Sequence, residues 1–182
     1  MIKAVFLDRD GVINRKAPEG EYIRSWDEFV FLPGVGAAVR RLNDAEYVVI
    51  IVTNQRGIAR GKVIPSELDR IHQKLVSELA DEGAAIHGIY YCPHDLHENC
   101  GCRKPQPGLL SRAVAEFGID ERRSWMIGDS IADVQAGQRA GCRTILVDTT
   151  ATVAPTEQIE LTARDLAHAV RIILEMDVRS SQ

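Results

Sequence analysis

Apolar residues along the chain fall into two alternating kinds of segment. Short unbroken runs stand at residues 4–7, 48–52, 88–91, 125–127 and 144–147. Each has the length of a strand buried on both faces, as in a parallel sheet. Between them the apolar positions recur with helical period. Val35, Val39 and Leu42 lie on one face, and Leu68, Ile71, Leu75, Val76 and Leu79 follow a Pro65-Ser66-Glu67 opening. Leu109, Leu110, Ala113, Val114 and Phe117 end at Gly118, and residues 131–140 end at Gly141. Leu166, Ala169, Val170, Ile173 and Leu174 predict a last helix. Glycine directly after a periodic stretch is the usual helix stop. Strand alternating with helix predicts one α/β domain over residues 1–182, doubly wound and mostly parallel, with helices on both faces of the sheet. A loop is expected at 151–160 and a flexible tail at 179–182.

In such sheets ligands bind beyond the carboxyl ends of the strands, so the residues after each run carry the candidate chemistry. They are Asp8-Arg9-Asp10-Gly11, then Thr53-Asn54-Gln55-Arg56-Gly57, then a Cys/His cluster leading to Arg103-Lys104-Pro105, then Gly128-Asp129-Ser130 and Asp133. One such end could be a helix cap or a turn. Four together predict a site. Asp8, Asp10 and Asp129 would repel one another without a cation. Hard oxygen ligands with room for water and a phosphate suit Mg²⁺. An Asp there can attack phosphorus, a second carboxyl can exchange protons with the leaving alcohol and the water, and Thr53 and Lys104 can stabilise the phosphoryl oxygens.

Composition agrees with an enzyme of small molecules. The 182 residues carry 22 Lys and Arg against 26 Asp and Glu, a net charge of −4. That balance disfavours general nucleic-acid binding, and no run is long enough for a membrane span. The N-terminus enters a strand without a secretory h-region, so a cytoplasmic monomer is the expectation. Three of the four cysteines, Cys92, Cys100 and Cys102, crowd into eleven residues with His94. A Cys₃His set is a closed structural Zn²⁺ site by ligand type. His97 competes with His94 for the fourth place, and reduced thiols without metal are the alternative. Cys142 stands apart, as a small core residue.

The four motifs, in this order, resemble those of the haloacid-dehalogenase-type phosphatases, and they cover residues 4 to about 148. The resemblance implies Asp8 as nucleophile and Asp10 as acid/base. Thr53 and Lys104 would hold the phosphoryl group. Mg²⁺ would sit on the Asp8 carboxylate, the Asp10 backbone carbonyl and Asp129, with Asp133 in support. Only 42 residues separate Asp10 from Thr53, too few for a helical cap domain beside the predicted helix. Within the family the cysteine loop 92–102 is shared with heptose-bisphosphate and histidinol-phosphate phosphatases. The runs Thr53-Asn54-Gln55-x-Gly57-Ile58-Ala59-Arg60-Gly61 and Ile89-Tyr90-Tyr91-Cys92-Pro93-His94 are similar to the heptose-bisphosphate branch. This implies a sugar bisphosphate losing its 7-phosphate, with Tyr22, Asn54, Gln55, Arg56 and Arg103 touching substrate. Arg60 and Lys62 are either further phosphate contacts or solvated charges. One departure is the interval between His94 and Cys100, five residues here and often longer in that branch. Two rivals stand beside this reading. A histidinol-phosphate phosphatase would turn Glu19 or Glu21 to the substrate amine. A zinc-stabilised module without catalysis would have no use for four intact polar strand ends.

Overall fold

A computed structural model describes residues 2–150 and 159–180. Six parallel strands form one sheet: β1 (Ala4–Leu7), β2 (Val48–Asn54), β3 (Gly88–Cys92), β4 (Trp125–Gly128), β5 (Arg143–Val147) and β6 (Thr162–Ala163). Their spatial order is β3-β2-β1-β4-β5-β6. The chain first winds outward from β1 to β3, then returns to the other side of β1 with β4. The order therefore switches between β1 and β4, where loops leave in opposite directions and open a crevice.

The strands are short and apolar because both faces are covered. Alternate residues go to opposite sides. Val5, Leu7, Val49, Ile51, Trp125 and Ile127 pack against α1 (Val35–Asp44), α2 (Pro65–Asp81) and α5 (Leu166–Ser180). Ala4, Phe6, Ile50, Val52 and Met126 pack against α3 (Gly108–Phe117) and α4 (Ile131–Arg139). Pro65 opens α2 at its first turn, where a missing N–H costs nothing. Gly118 ends α3 in the left-handed conformation, with φ 65°.

The five predicted runs coincide with β1–β5 and the five periodic stretches with α1–α5. β6, only two residues long, is an addition. Of the expected tail, Arg179 and Ser180 continue α5, and residues 181–182 lie outside the described residues. The loop expected at 151–160 also lies mostly outside them, although Ile159 is buried. No cap domain interrupts residues 9–34. That segment forms a flap rooted in the core by Val12, Ile13, Ile23 and Phe29, in which Arg15 N–H donates to the Val30 carbonyl and Leu32 N–H to the Ile13 carbonyl. Among the described residues no helix is long and apolar enough to cross a membrane.

Candidate active site

The crevice at the switch gathers the strand ends around one buried ammonium. Lys104 Nζ lies 2.8 Å from Asp8 Oδ1 and 2.6 Å from Asp133 Oδ1. It also donates to the Val52 carbonyl at 2.8 Å. The lysine is almost fully buried, and burial opposes its charge; Asp8 and Asp133 nevertheless hold its pKa above the usual lysine value. Its backbone is fixed by Asn54, whose Oδ1 accepts from Lys104 N–H at 3.0 Å and whose Nδ2 donates to Lys104 O at 3.1 Å. Asn54 can do this because β2 extends past Thr53 beside β3, with Asn54 opposite Cys92.

Asp8 follows β1 directly and accepts the Arg9 N–H at 2.8 Å on the oxygen that meets Lys104. Burial pushes its pKa up to about 7, Lys104 pulls it back, and the charges of Asp133 and Asp10 raise it again. Asp133 is held from the first turn of α4. Ser130 N–H and Oγ both donate to its Oδ2, at 3.0 and 2.5 Å, completing a capping box. Gly128 leaves room for that carboxylate, since a Cβ there would overlap the Asp133 side chain.

Asp8, Asp129 and Asp133 bring carboxylate oxygens within 4.8 Å of one another. The acidic cluster thus contains Asp133 where the sequence suggested the Asp10 carboxylate. Asp10 turns away because stronger donors wait elsewhere. Arg9 Nη2 reaches both its oxygens at 2.9 and 3.0 Å, and Asn14 Nδ2 and Gln55 Nε2 each donate at 2.9 Å. Burial opposes the charge, but Arg9, Asn14 and Gln55 together hold Asp10 below the usual carboxylate range. Arg9 is itself buried behind Asp10, 3.3 Å from His72 Nε2 of α2. His72 is pushed down to about 3 by burial and by the Arg9 charge, so it stays neutral.

This geometry fits a divalent cation. Asp129 Oδ1 is buried with no hydrogen-bond partner, whereas both Asp133 oxygens are satisfied. Asp8 and Asp129 are therefore the available carboxylate ligands, and Asp133 fastens Lys104. Burial raises the Asp129 pKa, against the pull of Lys16.

A second metal-type cluster stands beside the first. Cys92, His94, Cys100 and Cys102 place their ligand atoms within 4.8 Å of one another, and His97 is not among them. Sulfur–sulfur separations are 3.1 Å for Cys92–Cys102, 3.5 Å for Cys100–Cys102 and 3.6 Å for Cys92–Cys100. A tetrahedron with zinc–sulfur bonds of about 2.3 Å has edges of about 3.8 Å, and the thiols already stand a few tenths of an ångström inside that spacing, so the set fits zinc. All four cysteines of the chain are free, and Cys142 is a buried core residue.

The other expected residues are placed as follows. Thr53 Oγ1 accepts from Gln55 Nε2 at 3.0 Å, so Gln55 joins Asp10 to Thr53. Asn54 and Gln55, expected at the substrate, direct their amides into the site's own framework. Arg103 Nη1 donates to the His94 carbonyl at 3.2 Å. Arg60 pairs with Asp95 at 2.7 Å and clamps the β2 loop to the cysteine loop, which uses it structurally. The Tyr22 ring lies against Gly57, and its hydroxyl is enclosed beside Arg60. A cavity of about 190 Å³ opens between the cysteine loop and Lys104, bordered by Asp95, Asn99, Arg103 and Gln106. Another, of about 310 Å³, lies across the site between Gly11, Arg15, Lys16, Asp129 and Thr149. Arg9, Asn14, Lys16 and His72 are parts of the site that motif reading missed. Arg9 lay in plain view inside Asp-x-Asp, but an arginine looks solvated until its burial is known.

The chain is similar in sequence and fold to known proteins. A family model described as HAD-hydrolase-like matches residues 101–171. The D-glycero-beta-D-manno-heptose-1,7-bisphosphate 7-phosphatase of Pseudomonas aeruginosa is 39% identical over 145 residues, 80% of each chain. The enzyme of that name from Pasteurella multocida is 40% identical over 156 residues, 82% of this chain and 83% of its own. Among solved structures, the D,D-heptose 1,7-bisphosphate phosphatase of B. bronchiseptica, complexed with magnesium and phosphate, superimposes with a TM-score of 0.87. It is 35% identical, and the match covers 96% of this chain and 99% of that one.

Proposed function

The chain belongs to the D-glycero-beta-D-manno-heptose-1,7-bisphosphate 7-phosphatase family of HAD-like phosphoric monoester hydrolases, and from that premise we propose that it removes the 7-phosphate of heptose 1,7-bisphosphate through an aspartyl-phosphate on Asp8. The observation that carries this reading is the buried cluster of Asp8, Lys104, Asp129 and Asp133 at the sheet's switch point.

Asp8 attacks phosphorus while Lys104 and the Thr53 hydroxyl stabilise the oxygens that spread the transition-state charge. Asp129, the Asp8 carboxylate and the Asp10 carbonyl would hold Mg²⁺, which supplies positive charge against the phosphate and the nucleophile. As the phosphorus–oxygen bond to the sugar breaks, the alcohol oxygen takes a proton from Asp10. In the free protein Asp10 is held as a carboxylate. An approaching phosphate dianion makes its protonated form more favourable. In the second half Asp10 accepts a proton from water, which attacks the aspartyl-phosphate and releases inorganic phosphate and free Asp8. Gln55, bonded to both Asp10 and Thr53, keeps the proton carrier in register with the phosphoryl group.

The cavity beside Arg103 suits the phosphate that is not attacked, which contributes binding energy from a distance. Cys92, His94, Cys100 and Cys102 would hold a structural Zn²⁺ that keeps Arg103 and Lys104 facing that cavity. Four protein ligands leave that metal no open position for chemistry.

The test compares kcat/KM with Mg²⁺ on heptose 1,7-bisphosphate and on histidinol phosphate. A preference of about tenfold or more for the heptose is expected, equivalent to roughly 1.4 kcal/mol. The D8N variant should lose turnover on both. Preference for histidinol phosphate would replace the substrate and leave the phosphoryl-enzyme chemistry in place.

A further inference from the structure

Asp129 closes the acidic cluster from the β4 side, and the fold brings it a cation from an unexpected quarter. The chain reverses at Gly11, with φ 94°, so tightly that a Cβ there would overlap the Asp129 carboxylate. Asn14 is pinned within this turn: Gly11 N–H donates to its carbonyl, and its side chain donates to Asp10. Two residues later Lys16 points back across the crevice, with Nζ 2.5 Å from Asp129 Oδ2. The pair is unequal, since the lysine side chain is about half exposed (53%) while the aspartate is largely enclosed (14%). Asp129 cannot move away, because it leaves the end of a central strand. Lys16 can, because its stem lies along the mouth of the 310 Å³ cavity that it lines with Arg15 and Thr149.

We propose that Lys16 is a counter-ion latch: without a divalent ion its ammonium neutralises Asp129 from the Oδ2 side, and Mg²⁺ binding at the neighbouring Oδ1 competes with it and releases it. The inference rests on reading Asp129 as a metal ligand. Lys104 already neutralises one carboxylate of the cluster, so Lys16 supplies the second positive charge that three clustered carboxylates demand. A divalent ion brings both charges at once, and it makes Lys16 redundant at Asp129. The released ammonium faces the cavity mouth, while Val12 and Ile13 keep the root of its loop in the core beside Ile127. Binding the metal and releasing the Lys16 side chain into the cavity mouth become one event.

The experiment is a calorimetric titration of Mg²⁺ alone into the full chain, zinc-loaded and magnesium-free, with no substrate. Lys16→Met should bind Mg²⁺ roughly two- to fivefold more tightly, the range expected for removing a partly exposed competing ion pair. Lys16→Gln, which keeps a polar head without charge, should behave alike. Arg15→Met is the control for general charge, because Arg15 is exposed on the same loop and makes no ion pair with Asp129. It should change the affinity less than twofold. A Lys16→Met protein that binds Mg²⁺ no more tightly than the parent overturns the latch, as does an equal gain in Arg15→Met. Asp129→Asn separates the two layers of argument. If it abolishes binding while Lys16→Met changes nothing, the latch alone fails. If Asp129→Asn binds like the parent, the metal-ligand reading fails and the latch with it.

Discussion

Asp8 and His72 are both buried beside Arg9, and burial moves their proton affinities in opposite senses. Asp8 has its pKa raised from 3.8 to about 7, so the folded state prefers it protonated. That contribution is complete below about pH 4 and is lost as pH rises through 7. His72 has its pKa lowered from 6.5 to about 3, so the folded state refuses its proton. Its contribution is present above pH 6.5 and is lost as pH falls toward 3. Between pH 4 and 6.5 the two slopes oppose each other, and the magnesium-free protein should show a nearly level stability curve. Each slope should appear when the other group is removed. D8N should gain stability from pH 4 to 6.5 as His72 sheds its penalty, by about 1–3 kcal/mol. His72→Gln should lose stability over the same interval. Urea midpoints across that range check both; parallel curves for the two variants would contradict the assignment. None of this was legible in the sequence. The Asp-x-Asp spacing shows where Asp8 stands, but the burial of Arg9 and His72 depends on α2 packing behind β1, which no local pattern reports.

At the level of elements, the start of α4 carries more of the site than its length suggests. Gly128 ends β4, Ser130 caps the helix, and Asp133 returns to that cap while its other oxygen fixes Lys104. A methyl at Gly128 would displace Asp133 from both duties at once. Gly128→Ala should therefore cost about 2–4 kcal/mol, as overpacking plus a broken buried ion pair. Ser130→Ala loses the cap and the hydroxyl donor to Asp133 but keeps the Ser130 N–H donor, at about 1 kcal/mol. Activity should fall far more in Gly128→Ala than in Ser130→Ala, because only the former moves the Lys104 anchor. Denaturant titration and kcat of both variants check the ranking. The cap is readable as Ser130-x-x-Asp133 ahead of an apolar stretch, and so were α1–α5 and β1–β5 from their periods. β6 was not, since two residues hold no alternation. Nor was the flap of residues 9–34, whose few cross-chain pairings leave no period to read. Motif position told which residues gather at the crevice. It did not tell which way Asp10, Asn54 and Gln55 face, because side-chain direction follows from the donors that surround them in three dimensions.

For the whole molecule, the sheet order makes the cysteine loop a structural part of the active site. β3 is an edge strand, and its last residue, Cys92, lies opposite Asn54 at the end of β2. Asn54 clamps the backbone of Lys104, and Lys104 follows Cys102 by two residues. A closed circuit results: Cys92 to Asn54 through the sheet, Asn54 to Lys104 by hydrogen bonds, Lys104 to Cys102 along the chain, and Cys102 back to Cys92 across 3.1 Å of sulfur contact. A zinc ion on the four ligands would close this circuit covalently. Without it, the return from Cys102 to Cys92 rests on neutral thiol contacts, and burial pushes the Cys92 thiol up, away from the thiolate form. The purified chain should therefore carry one zinc. Stripping it with a chelator, followed by excess Mg²⁺, should lower Tm by roughly 5–10 °C, since structural zinc contributes folding free energy. The rate should respond in kcat more than in KM, because on the proposed mechanism Lys104 acts on the transition-state charge and is the residue that loses its hold. Cys102→Ser should reproduce both effects. A zinc-free protein with unchanged Tm and kcat would mean that the β2–β3 pairing and Asn54 alone position Lys104, and that the cysteine loop is merely a reduced surface turn.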